Sequence, residues 1–173
     1  AVYAYLGETE TEPNNTIGKM ILLFNKFWNE LYRFSRRTSS QDRWCSKNQL
    51  DNITVVDDGE KVSKKVDDLA NRSDRYKAIN LENDYTVEIR LWRGTLNKTK
   101  FYATLQLTSN IVNYAKSHTL RDIEGCVFGD LVGNEQVELN EYIRKGFTLD
   151  DERLMNLGGG NYWSELLQRI RNI

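Results

Sequence analysis

Between residues 85 and 92 the chain alternates. Tyr85, Val87, Ile89 and Leu91 fall on one side, and Thr86, Glu88, Arg90 and Trp92 on the other. A period of two, rich in β-branched and aromatic residues, predicts a half-buried strand whose odd face meets the core. Residues 75–81 read as a second strand, and the polar turn Glu82-Asn83-Asp84 predicts that the two pair as an antiparallel hairpin, with Asn80 close to the Glu88 strand. Residues 1–6 are apolar and carry tyrosines, which suits a further strand or the tail of one. The acidic, proline-bearing stretch 7–15 reads as a loop.

Elsewhere the period is helical. Behind Thr16 as a cap, Ile17, Met20, Ile21, Phe24, Phe27, Trp28, Leu31 and Phe34 recur at helical spacing and predict a long helix with a wide buried stripe. Residues 47–73 are polar and charged and read as a variable insertion. Within them Val62, Val66 and Leu69 predict one short amphipathic helix over 59–71, with Lys61, Lys64 and Lys65 on its wet face. Asn97 opens a helix to about 117 whose stripe is Phe101, Thr104, Leu105, Thr108, Ile111, Val112 and Ala115. Residues 119–173 form a helical C-terminal part. Thr119 caps a segment with Ile123, Val127, Phe128 and Leu131, and Val137, Leu139, Tyr142 and Ile143 mark a helix ended by Gly146. Thr148 with Asp151 resembles a capping box, and Asn161 opens a last helix with Trp163, Leu166, Leu167 and Ile170 inward. The triplet Gly158-Gly159-Gly160 is a turn, not a phosphate loop, because no Gly-Lys-Ser/Thr follows it. The sum is one α+β domain over 1–173: a small antiparallel sheet covered by long amphipathic helices at 16–34 and 98–117.

Charge and composition narrow this only slightly. The formal net charge is −1 and 28% of residues are charged, so no global field draws the chain to nucleic acid or to an acidic membrane. No apolar run reaches the ~18 residues that span a bilayer, and no secretory signal precedes the first charged residues. Cys45 and Cys126 lie far apart with no Cys-x-x-Cys pair, which indicates neither a zinc site nor a disulfide framework. A reduced, cytoplasmic protein is expected. The single histidine, His118, excludes a multi-histidine metal site and reads as a helix-end residue.

Two groups of residues could carry chemistry. Glu88 and Arg90 project side by side from one face of the central strand, and Trp92, Arg93 and Gly94 continue it. That arrangement suits the wall of an anionic-ligand or metal site, or an ion pair on a solvated sheet face. Arg33, Arg36 and Arg37 close the first long helix, and Arg43, Trp44 and Lys47 follow among Ser35, Thr38, Ser39 and Ser40. Arginines interleaved with an indole and hydroxyls suit phosphate or nucleic acid, and also suit a helix C-terminus through its dipole.

The runs Tyr76-Lys77-Ala78-Ile79-Asn80-Leu81 and Thr86-Val87-Glu88-Ile89-Arg90-Leu91-Trp92-Arg93-Gly94-Thr95-Leu96 resemble the amidoligase-like proteins of phages and prophages, with support from Lys26-Phe27-Trp28 through Phe34-Ser35-Arg36-Arg37. The resemblance implies a fold like that of glutamine synthetase and glutamate–cysteine ligase, and ATP-dependent amide-bond formation. It implies Glu88 on the metal side and Arg90 and Arg93 as its arginines, with Mg²⁺ and ATP as cofactors. The family also carries paired acids and a His-x-His-like strand at its N-terminal side, where this chain shows Val2-Tyr3-Ala4-Tyr5. The expectation is therefore a truncated relative that needs no cofactor and acts by binding a protein or ribonucleoprotein in a bacterial host cell. A host-defence (anti-CRISPR) inhibitor of a Cas nuclease or its guide RNA is one form of it. Arg33, Arg36, Arg37, Arg43, Trp44, Arg90, Trp92 and Arg93 would then form the contact side. The alternative is an ATP-dependent ligase completed by another subunit or by further N-terminal residues. Loss of the family's flanking strands would leave the central strand with an open edge or an uncovered polar face, and hence a route to self-association as a homodimer or to partner docking, unless residues 48–73 fold over that face and close it.

Overall fold

A computed structural model describes residues 2–4, 11–37, 44–50, 59–72, 75–83, 86–133 and 136–148, with 2–4, 11–13 and 146–148 described as backbone alone. In chain order the elements are β1 (Val2–Ala4), α1 (Thr11–Lys26), α2 (Trp28–Ser35), α3 (Gly59–Ala70), β2 (Ile79–Asn80), β3 (Val87–Ile89), α4 (Lys98–Ser117), α5 (Leu120–Gly125), α6 (Phe128–Val132) and α7 (Val137–Thr148). The α+β class expected from the two periodicities is the one observed.

The alternating stretch becomes the middle strand of a three-stranded sheet of order β1-β3-β2, antiparallel throughout. The hairpin pairs Ile79 with Ile89 and Asn80 with Glu88. Val87, Ile89 and Leu91 are all buried, as the odd face requires. The expected open edge of the central strand is corrected here: β1 pairs with β3 through Val2↔Ile89 and Ala4↔Val87, so both sides of β3 are taken.

The outer edge of β2 is covered in an unusual way. Ser46 forms a parallel bridge to Lys77, its N–H bonding the Tyr76 carbonyl at 2.8 Å and its carbonyl accepting from Ala78 N–H at 2.8 Å. Two residues on, the Asn48 side chain takes over the work of a strand. Its Oδ1 accepts from Ile79 N–H at 2.9 Å and its Nδ2 donates to the Ile79 carbonyl at 2.7 Å. A carboxamide has the donor and acceptor of one peptide unit, so it satisfies an edge residue without another strand. Asn48 and Leu50 are buried, and Val62 and Val66 join them from α3, so the stretch 47–73 contributes to the core.

The helices differ from their patterns at the ends. The first helix begins at Thr11, not Thr16, and takes in Pro13. A proline in the first turn costs little because the N–H it lacks would have no helical acceptor there. The expected single helix bends at Phe27 (φ −105°, ψ 31°), although Phe27 N–H still bonds the Leu23 carbonyl at 2.9 Å. Asn97 caps α4 by accepting from Lys100 N–H at 2.9 Å, and His118 closes it, as expected of a helix-end residue. Thr119 and Asp122 form a capping box on α5. The helix of Val137 runs through Gly146 to Thr148. The readings on 149–173, including Thr148 with Asp151 and the helix after Asn161, lie outside the described residues.

Helix α4 buries Ala103, Leu107, Thr108, Ile111, Val112 and Ala115. The expected stripe shared its second half with this set but began on Phe101, which is half-exposed. Ala103 is a weak marker in a hydrophobic pattern, yet the i+4 row 103, 107, 111 and 115 is the seam.

Helices α1 and α3 pack face to face at Gly18, where an added Cβ would lie 2.3 Å from Val62 Cγ1. Alanine normally gains up to about 1 kcal/mol over glycine inside a helix. Here the stiff Val62 side chain cannot swing aside, so overpacking decides the sign. Gly18→Ala is expected to destabilise the chain by about 1–3 kcal/mol in urea unfolding, and adding Val62→Ala should recover part of the loss. A stabilising Gly18→Ala would contradict this helix contact.

Candidate functional site

The C-terminal end of α2, the exit from β3 and the first turn of α4 meet on one side of the sheet. Arg37 makes the junction. Its Nε donates to the Leu91 carbonyl at 2.7 Å and its Nη2 to the Arg90 carbonyl at 2.6 Å. Those carbonyls belong to residues just past β3, so the planar fork replaces a strand neighbour where pairing ends. Arg37 is therefore committed to the fold.

Arg36 precedes it in the left-handed region (φ 54°), closing α2 with its N–H on the Arg33 carbonyl at 2.9 Å. The turn sends its guanidinium over the Tyr142 ring of α7 at 5.3 Å. Tyr142 is fixed in turn: its hydroxyl donates to the Phe34 carbonyl at 3.0 Å and its ring meets Phe34 edge-on at 4.8 Å. Burial pushes the Tyr142 hydroxyl pKa up, against the pull of Arg36.

Arg93 is exposed on the loop into α4. Lys100, one turn into α4, senses both arginines. Its pKa is lowered first by burial, then by Arg36, then by Arg93, and among the described residues no carboxylate opposes them. The first turn of α4 holds no acid at all. Lysines at Lys98 and Lys100 therefore sit at the positive end of the helix dipole, where acids are favoured. This surface is cationic against the trend of a chain with net charge −1.

The remaining expected site residues fall elsewhere. Glu88 Oε2 accepts from Asn80 Nδ2 at 2.9 Å and lies 3.8 Å from Arg90 Nη1. That is a local, half-buried ion pair, side by side as the strand pattern requires. Among the described residues no group of three or more His, Cys, Asp or Glu is placed to hold a metal ion. Trp92 is corrected: instead of an exposed contact it is 7% exposed, with Nε1 donating to Thr108 Oγ1 at 2.9 Å. Its ring packs on Phe24 and Phe34 at centroid distances of 6.0 and 5.6 Å. Strand geometry ends at Ile89, so while Leu91 still follows the alternation, Trp92 no longer does and turns inward as well.

Arg33 is half-buried and lines an open cleft of about 460 Å³ with Trp28, Tyr32, Cys45 and Lys47. Trp44 is 43% exposed and rests edge-on against Tyr76 at 5.1 Å. Arg43 lies outside the described residues. Cys45 and Cys126 are both buried and form no disulfide. Lys100 and the exposed Phe101 and Tyr102 beside it were missed by the sequence pattern. The available signal was a helix start bearing two lysines and no acid.

These features define an α+β protein with a local basic face built from three separate segments. The sequence profile of the Virulence protein RhuM family matches residues 133–173, a stretch whose described part is essentially α7. No curated protein and no solved structure matches the chain. The resemblance to amidoligases is thereby overturned, since the family that does match is a different one. The roles it implied for Glu88, Arg90 and Arg93, and the need for Mg²⁺ and ATP, lose their ground with it. No helix among the described residues is long and apolar enough to cross a membrane.

Arg37 and Arg93 separate structural from surface cations. Arg37→Met is expected to cost about 2–3 kcal/mol in urea unfolding, because two carbonyls lose a charged donor. Arg93→Ala should stay within about 0.5 kcal/mol of the parent. Equal losses would show that Arg93 also holds the fold.

Proposed function

We propose that this protein acts by binding a polyanion, a nucleic acid or the nucleic-acid part of a ribonucleoprotein, through the face of Arg36, Arg93 and Lys100. The observation that carries the reading is the convergence of these cations from the end of α2, the β3 exit and α4, with no carboxylate among the described groups acting on Lys100. Like charges held together cost stability, and such an arrangement is more common where a ligand of opposite charge completes it. A phosphate backbone supplies that charge repeatedly and needs no metal or nucleophile from the protein. The match to a virulence protein family adds no chemistry, but α7 within it provides Tyr142, the ring on which Arg36 rests. A Cas nuclease's guide RNA, blocked by this face, is the special case expected for a host-defence inhibitor; inhibition of target cleavage in vitro tests it separately.

The general reading is tested with a fluorescent 20-nucleotide strand titrated at several salt concentrations. The logarithm of the affinity should fall linearly with the logarithm of salt, and Arg93→Ala and Lys100→Ala should each lower the slope by about 0.7–0.9. Binding that is absent at low salt, or slopes unmoved in both variants, overturns the proposal. The pH dependence has a definite sign. A bound phosphate favours charged Lys100 and so raises its lowered pKa. Affinity should therefore hold at neutral pH and be lost as pH rises through the free-state pKa, below 10.5. Lys100→Arg should abolish that loss.

A further inference from the structure

Directly beside the basic face, the start of α4 leaves two aromatic rings about half exposed among the described residues. Phe101 is 50% and Tyr102 42% exposed, and Leu96 just before the cap is fully exposed. The two rings meet edge-on, with centroids 5.6 Å apart and planes at 76°. Set perpendicular, the two rings are not stacked face to face on each other. Lys98 Nζ lies 5.9 Å from the Tyr102 centroid. Lys98 and Lys100 thus both precede the rings in sequence, and Arg93 stands on the loop before them. Among the described residues, α4 packs against α1, α6, α7 and β1, and Glu138 of α7 lies towards the Tyr102 row, where Gln106 donates to it and Lys98 acts on it.

We infer that the occupant of this surface is an unpaired nucleic-acid strand, whose bases stack on Phe101 and Tyr102 while Lys98, Lys100 and Arg93 follow its phosphates. The inference rests on the polyanion reading above and sharpens it. A duplex turns phosphates outward and keeps its bases stacked on each other, so it could use the cations but not the ring faces. An unpaired strand offers both charge and free π-faces. Rings with Lys98 over one of them and Lys100 next in the chain also fit such a strand better than an apolar protein surface, whose docking would desolvate those positive groups.

The test compares a labelled 12-nucleotide strand, as RNA and as DNA, with the corresponding duplex, on the full chain and on the double variant Phe101→Leu/Tyr102→Leu. The parent should bind the unpaired strand at least tenfold more tightly than the duplex. The double variant should lose roughly 10–100-fold on the strand while keeping its duplex affinity and salt slope. Equal affinities of the parent for strand and duplex, or an unchanged preference in the double variant, refute the stacking role and leave the polyanion reading standing. Failure to bind either form refutes both. Analytical ultracentrifugation of parent and double variant covers the other occupants. A parent dimer that becomes monomeric in the double variant would assign the rings to a second copy and overturn the inference.

Discussion

The geometry of this protein turns on one guanidinium. Arg37 reaches from the end of α2 to the carbonyls of Arg90 and Leu91, where β3 has lost its strand partners. Without such a donor these carbonyls would need water beside a core that includes Leu91 and Trp92. With it, the chain can leave the sheet abruptly, bury Trp92 between Phe24 and Phe34, and enter α4 through the exposed loop of Arg93. The same contact fixes the end of α2, so Arg36 is thrown toward α7. One buried-facing arginine thereby sets the positions of the exposed ones.

Much of this fold is legible in the sequence, and the gaps have physical causes. Period two in residues 87–91 and helical periods in 17–34 and 59–70 survive because each element buries one face against the rest of the chain. Trp92 was misplaced because alternation was extended past Ile89, where side-chain bonding replaces the ladder. Phe101 was misplaced because a phenylalanine outweighs an alanine in any hydrophobic pattern, although Ala103 is the buried one. Asn48 as a substitute for a strand residue has no pattern at all. It is one amide in a polar run, and only its two bonds to Ile79 reveal it.

The candidate site was half legible for a related reason. Arg33, Arg36, Arg37 and Arg43 appeared as one cluster in sequence, but the fold assigns its described members different work. Arg33 lines the cleft, Arg36 faces Tyr142, and Arg37 holds the strand exit. Proximity in sequence says little when a helix end separates neighbours by a left-handed turn. Proximity in space adds Lys100, some sixty residues away, which no local motif could have joined to Arg36.

The segment that matches the virulence protein family begins at residue 133, yet α7 within it is no appendage. Gln106 of α4 accepts from Leu139 N–H at 2.8 Å and donates to Glu138 Oε2 at 2.6 Å, which satisfies an N-terminal donor of α7 and holds the Glu138 carboxyl below its usual pKa. Tyr142 then bonds the last turn of α2. A helix of twelve residues is marginal alone in water, so α7 depends on these contacts, and the setting of Arg36 depends on α7. Whatever the matched segment does in its relatives, here its first helix is part of the wall that orients the basic face. The described part of the matched segment therefore packs with the rest of the chain as one unit, and a change at Tyr142 reaches Arg36 directly through its ring.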